Sequence, residues 1–138
     1  MQPETRVTLA SARMIWTGRI LSTVAVLFLL FDSVIHIMKP VPVVEAFNQL
    51  GLPLHLAMPL GFVELLCIIV YVLPRSRMLG AILLTGYLGG AVATHVRVGN
   101  PVFETIFPVI IGSLIWGGLY LRDGRLRECF AAESVTGK

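Results

Sequence analysis

Asp32 and His36 stand four residues apart in 31-FDSVIH-36, before an apolar run has ended. On a helix that spacing puts a carboxyl and an imidazole on one face, within mutual reach. Such a pair can hold or pass a proton. Glu64 interrupts a second apolar run and Tyr87 a third. A carboxyl and a phenol in a dry interior can hydrogen-bond, and together the four residues suit ligand binding with proton relay through Asp32 or Glu64. His95 follows Tyr87 by eight residues, nearly on the same helical face, with Arg97, Asn100 and Glu104 close behind it. Arg97 is long enough to reach down toward Asp32 or Glu104.

The elements that must carry these residues are membrane spans. Of the 138 residues, 56% are hydrophobic and 14% charged, with a mean hydropathy of +0.83. A soluble domain of this size carries about a quarter charged residues, so much of the surface is expected to face lipid. Four runs reach the roughly 17–25 apolar residues that a spanning helix needs: residues 20–38, 56–73, 78–94 and 105–121. Strands are excluded because the runs do not alternate and an open sheet edge cannot sit in hydrocarbon. The connections read as one longer loop, 39–55, and two short ones, 74–77 and 95–104. Short links make consecutive helices antiparallel neighbours. The expected fold is therefore all-α, an antiparallel four-helix bundle in a single domain spanning 1–138. The first run is read as a retained helix rather than a cleaved leader, since no small-x-small site follows it.

Orientation follows from the basic residues. Arg6, Arg13, Arg19, Arg75, Arg77, Arg122, Arg125, Arg127 and Lys138 fall on one side, and Lys39 and Arg97 on the other. The positive-inside bias then puts both termini, including a tail over 122–138, in the cytoplasm. In that frame Asp32 lies roughly 9 Å, Tyr87 about 10 Å and Glu64 about 12 Å below the outer surface, at 1.5 Å per residue. His36, His95, Arg97 and Glu104 gather at the rim above them. No ionisable side chain is expected at comparable depth in the cytoplasmic half. A charge at a helix centre costs about 2.5–3.5 kcal/mol on insertion scales, so these groups should face inward and find partners.

Plainer roles compete for the same residues. Asp32 and Glu64 also serve as hydrogen-bonded struts, His36 as an interfacial residue, and Trp16 and Trp116 as interfacial anchors or lipid contacts. His55 has no assigned role. Gly86, Gly89, Gly90, Ala91 and Ala93 in the third span, and Gly112, Ser113, Gly117 and Gly118 in the fourth, are expected to admit close neighbouring backbones. Pro108 frees the carbonyl of Glu104, a further place for a cation or a hydrogen donor. Cys67 and Cys129 form no C-x-x-C, so any thiol chemistry would lie on a partner. No dense basic face suggests nucleic acid. A haem is not expected, because both rim histidines lie near water. His36, His95 and Asp32 have metal-ligand types but no tight motif, and no metal is assigned.

The run 83-LLTGYLGGAVATHVRVGNP-101 joins a glycine-alanine pattern to Tyr87, His95 and Arg97 at fixed spacing. With 31-FDSVIH-36, 60-LGFVELLCIIVYVLPRSRMLGA-81 and 107-FPVIIGSLIWGGLYLRD-123, it resembles the DoxX-like family of small bacterial membrane proteins. That resemblance implies a four-helix integral membrane protein, a link to thiosulfate-to-quinone electron transfer and thiol-redox partners, and importance for Asp32, Glu64, Tyr87, His95 and Arg97. The expectation it shapes is a redox-accessory subunit whose outward-facing polar pocket takes a quinone head group. Tyr87 and His95 would then donate to its carbonyls. Two alternatives stay open: a non-enzymatic binding or permeation module with Arg97 as an anion anchor, and a structural, homo-oligomerising scaffold.

Overall fold

The computed structural model describes residues 3–129, with side chains from residue 11 onward. Arg6's side chain and Lys138, with the end of the 122–138 tail, lie outside the described residues. The elements are α1 (Pro3–Met38), α2 (Val41–Gln49), a 3-10 turn (Leu54–Leu56), α3 (Ala57–Val72), α4 (Arg77–Val98) and α5 (Val102–Arg122). There is no strand among the described residues. Four helical segments are long and apolar enough to cross a membrane: Ser11–Met38, Leu54–Val72, Arg77–Val98 and Val102–Arg122. Their outer faces carry Trp16, Leu27, Phe31, Leu66 and Phe103, all largely exposed. Apolar groups presented outward in this number suit hydrocarbon as the solvent.

The segment read as a loop over 39–55 contains a helix. Lys39 adopts a left-handed conformation (φ 51) and its N–H closes α1 on the Ile35 carbonyl, 2.9 Å away. Pro40 then opens α2, whose first turn carries Pro42, where a missing N–H is tolerated. Val43 and Phe47, four apart, bury one face of α2 against Ile35, Leu52, Leu56, Ala57 and Leu60. The 95–104 link is also shorter than expected. α4 continues through His95 and Arg97 until Gly99 turns the backbone left-handed (φ 70), and α5 starts after Pro101, leaving Glu104 in its first turn. Hydropathy marks where lipid ends; a cap marks where a helix ends, and here the two differ by a turn.

Helix α1 packs against α3 and α5, and α4 closes the ring by packing against the same two. The centre holds Ala25, Leu29, Ile68, Tyr71, Ala81, Leu84, Ile115 and Leu119, none more than 2% exposed. Close approach falls on Gly118, as expected, and otherwise on glycines outside the expected set. A Cβ at Gly61 would stand 2.8 Å from the Ser33 carbonyl oxygen, and Gly80 lies directly against the Tyr71 backbone. Gly118 meets Ser22 and the Gly18 carbonyl. Gly86, Gly89 and Gly90 have nothing within 4 Å of an added Cβ, because they point out of the bundle. Gly112 and Gly117 make only ordinary contacts, at 3.7 and 3.9 Å.

Two aromatic residues take up unforeseen work. The Tyr71 hydroxyl donates to the Ile115 carbonyl (3.0 Å) and lies 2.9 Å from Ser22 Oγ, and the Arg122 guanidinium sits over its ring at 5.3 Å. A buried phenol therefore occupies the end of the bundle opposite Glu64, in the last turn of α3. Trp116 donates its indole N–H to Thr85 Oγ1 (2.8 Å), pinning α5 to α4 rather than anchoring at an interface alone.

Candidate functional site

At the end of the bundle nearest α2, three helices contribute to one polar cluster. Helix α1 supplies Asp32 and His36, which its 3.6-residue repeat holds on one face. His36 Nδ1 lies 2.8 Å from the Asp32 carbonyl oxygen and 3.4 Å from Asp32 Oδ2. Helix α3 supplies Glu64, which is fully buried. Helix α4 supplies Tyr87, whose hydroxyl donates to Glu64 Oε2 at 3.1 Å. One ligand atom each from Asp32, His36 and Glu64 lie within 4.8 Å of one another. The Asp32 and His36 side chains keep 30% and 19% exposure, so the cluster is open on that side and closed at Glu64.

The close α1–α3 crossing at Gly61 positions the cluster. Ser33 Oγ donates to the Gly61 carbonyl at 2.8 Å, and Gly61 itself admits the backbone of α1. That contact brings Asp32 and Glu64 to one level. Ser33 went unnoticed in the sequence because serine is common in spans and carries no charge. Its place beside Asp32 and three residues from His36 was the available signal. Above the cluster, the Phe47 ring meets the His36 imidazole edge-on, with centroids 5.7 Å apart.

The remaining candidates form separate groups. His95 Nδ1 lies 2.8 Å from Asn100 Nδ2, which also donates to Glu104 Oε2 at 2.8 Å; His95 and Glu104 themselves are 3.9 Å apart. Arg97 pairs with neither carboxyl proposed for it. Its Nη2 donates to the Leu50 carbonyl at 2.6 Å, tying α4 to the chain after α2. A cavity of about 340 Å³ lies between α4 and α5, lined by Thr85, Leu88, Gly89, Val92, Pro108, Val109, Gly112, Ser113 and Trp116. None of the cluster residues borders it. Both cysteines are free, Cys67 buried in α3 and Cys129 exposed.

Chemically the cluster is rich in acceptors. Its donors are one phenol hydrogen and one imidazole N–H, facing two carboxyl groups that only accept when ionised. Glu64 Oε1 is buried with no hydrogen donor in reach, and the Glu64 carboxyl faces that of Asp32. A buried acceptor left unmet costs about 1–3 kcal/mol. Such an arrangement favours something that brings hydrogen or positive charge.

No curated protein and no solved structure matches the chain. The sequence profile of the DoxX-like family does match, over residues 20–118, and that length of agreement across all four apolar helices makes the chain a member of the DoxX-like family.

Proposed function

We infer that the protein is a small-ligand-binding subunit of the bacterial inner membrane, with its site at the Asp32–His36–Glu64–Tyr87 cluster. The observation that carries this reading is Glu64: wholly buried, one carboxyl oxygen held by Tyr87, the other without a partner. Contact register supports antiparallel spans. Tyr71 meets Gly80 while Glu64 meets Tyr87, and Ser22 meets Tyr71 while Ser33 meets Gly61. With the basic residues inside, both termini are cytoplasmic and the cluster lies in the outer half.

The ligand is one that offers hydrogen-bond donors or positive charge. An oxidised quinone offers only carbonyl acceptors, and the pair of donors assigned to it is divided: Tyr87 is committed to Glu64, while His95, whose Nδ1 accepts from Asn100, belongs to a separate group with Glu104. A reduced quinone, with two hydroxyls, fits the acceptors better and keeps the sulfur-redox link in view. Arg97 is engaged with Leu50, which weakens the anion-capture alternative. The scaffold alternative draws its support from the outward glycines of α4.

Native mass spectrometry of the detergent-released protein tests the reading. The wild type is expected to carry a bound small molecule or cation that Glu64→Gln loses while keeping its helical content. Identical adduct spectra for the two proteins would rule the reading out.

A further inference from the structure

We propose that Asp32, His36 and Glu64 form a binding site for a divalent transition-metal cation of the Zn²⁺ class. The inference rests on the binding-subunit reading above and names the class of its ligand. One imidazole nitrogen and two carboxylate oxygens are the ligand types such ions accept. In the structure, one such atom from each residue lies within 4.8 Å of the others. His36 Nδ1 and Asp32 Oδ2 are 3.4 Å apart. That separation is about the edge of a tetrahedron whose corners lie roughly 2.0–2.1 Å from a central zinc. Glu64 completes the set, its ligand atom within 4.8 Å of the other two, and a side-chain rotation brings it onto the ion.

A second observation points to an occupant. Glu64 is 0% exposed, and its Oε1 has no partner. No lysine or arginine among the described residues is ion-paired with Asp32 or Glu64. Two carboxylates and a neutral imidazole around a divalent ion sum to zero charge, the condition a low-dielectric interior demands. His36 gives up its bond to the Asp32 carbonyl when it ligates through Nδ1. That carbonyl still has its backbone partner one helical turn on. Tyr87, bonded to Glu64 Oε2, holds the carboxylate in orientation, as groups behind metal ligands commonly do. Entry and the fourth coordination position lie on the Asp32–His36 side, where exposure remains.

The test uses full-length protein in detergent, stripped with chelator and titrated with Zn²⁺ and, separately, Co²⁺, with metal content and Co²⁺ absorption as readouts. One ion per chain is expected, with the intense visible bands of low-coordinate cobalt. Glu64→Gln and Asp32→Asn should each abolish binding, while His95→Ala leaves it unchanged. Tyr87→Phe removes no ligand and should weaken affinity about 10–100-fold. Its melting profile separates that effect from misfolding. Weak or absent binding to the wild type, or equal binding to Glu64→Gln, overturns the cation assignment. If an organic molecule then occupies the wild type and is lost in Glu64→Gln, the cation is wrong and the binding subunit stands. If neither is found, both fall.

Discussion

Glu64 shows how a single buried carboxyl can organise its surroundings. Its Oε2 fixes Tyr87 and its Oε1 leaves acceptor capacity unused. Substitutions should therefore separate stability from binding. Glu64→Leu with Tyr87→Phe removes the unmet acceptor together with the phenol that donates to it, and is expected to be about as stable as wild type to heat, yet unable to bind. Replacing both partners of a buried polar pair by apolar groups of similar shape can be nearly neutral or stabilising. A double variant that melts well below wild type would mean that the carboxyl is a strut, as the scaffold alternative holds. Ser33→Ala removes only the bond to Gly61. It should cost about 0.6 kcal/mol, a typical interhelical bond in membranes. Tyr71→Phe, which loses both Ser22 and the Ile115 carbonyl, should cost more, about 1–2 kcal/mol. Unfolding in graded detergent mixtures reads all three.

At the scale of elements, the close crossings matter most. Gly61→Leu should separate α1 from α3 and disperse the cluster, because even a Cβ there meets the Ser33 carbonyl at 2.8 Å. Gly86→Ala and Gly89→Ala, with open space at both positions, should leave stability within about 0.5 kcal/mol of wild type. A large loss at either outward glycine, in protein shown to be monomeric, would contradict the packing described. Arg97→Gln should speed hydrogen exchange in the chain that follows α2, since its tie to Leu50 is lost. These crossings also show what the sequence could and could not carry. Asp32 and His36 were legible from helical spacing, and Glu64 with Tyr87 from equal depth, because both are matters of axial arithmetic. His95 stands apart from the cluster by the same arithmetic: eight residues from Tyr87 give a shared face but about 12 Å of axial separation. The α2 helix was hidden because it is only nine residues long and opens on Pro40 and Pro42, which read as loop punctuation although Val43 and Phe47 bury one of its faces. Of the close-packing glycines only Gly118 was named from the sequence, among several that point outward, because composition counts glycines without saying which way each one points.

For the whole molecule, the distribution of basic residues and the two cysteines make the topology testable. Cys129 is exposed and Cys67 buried. In cells with an intact inner membrane, an impermeant maleimide added from outside should label neither. After the membrane is opened, Cys129 should react at once and Cys67 only on denaturation. Labelling of Cys129 in intact cells would reverse the proposed orientation and move the cluster to the cytoplasmic half. The outward strip of Gly86, Gly89 and Gly90 is the part of the surface where a second copy of the chain could lie closest.

The edge-on contact between Phe47 and His36 has a practical consequence. An aromatic ring circulates current in a magnetic field, and protons at the imidazole edge feel it. The His36 resonances should therefore stand apart from those of His55 and His95, and Phe47→Leu should move them without replacing any proposed ligand. A spectroscopist could then follow this one ring, inside a lipid-embedded protein, as whatever enters the cluster draws near.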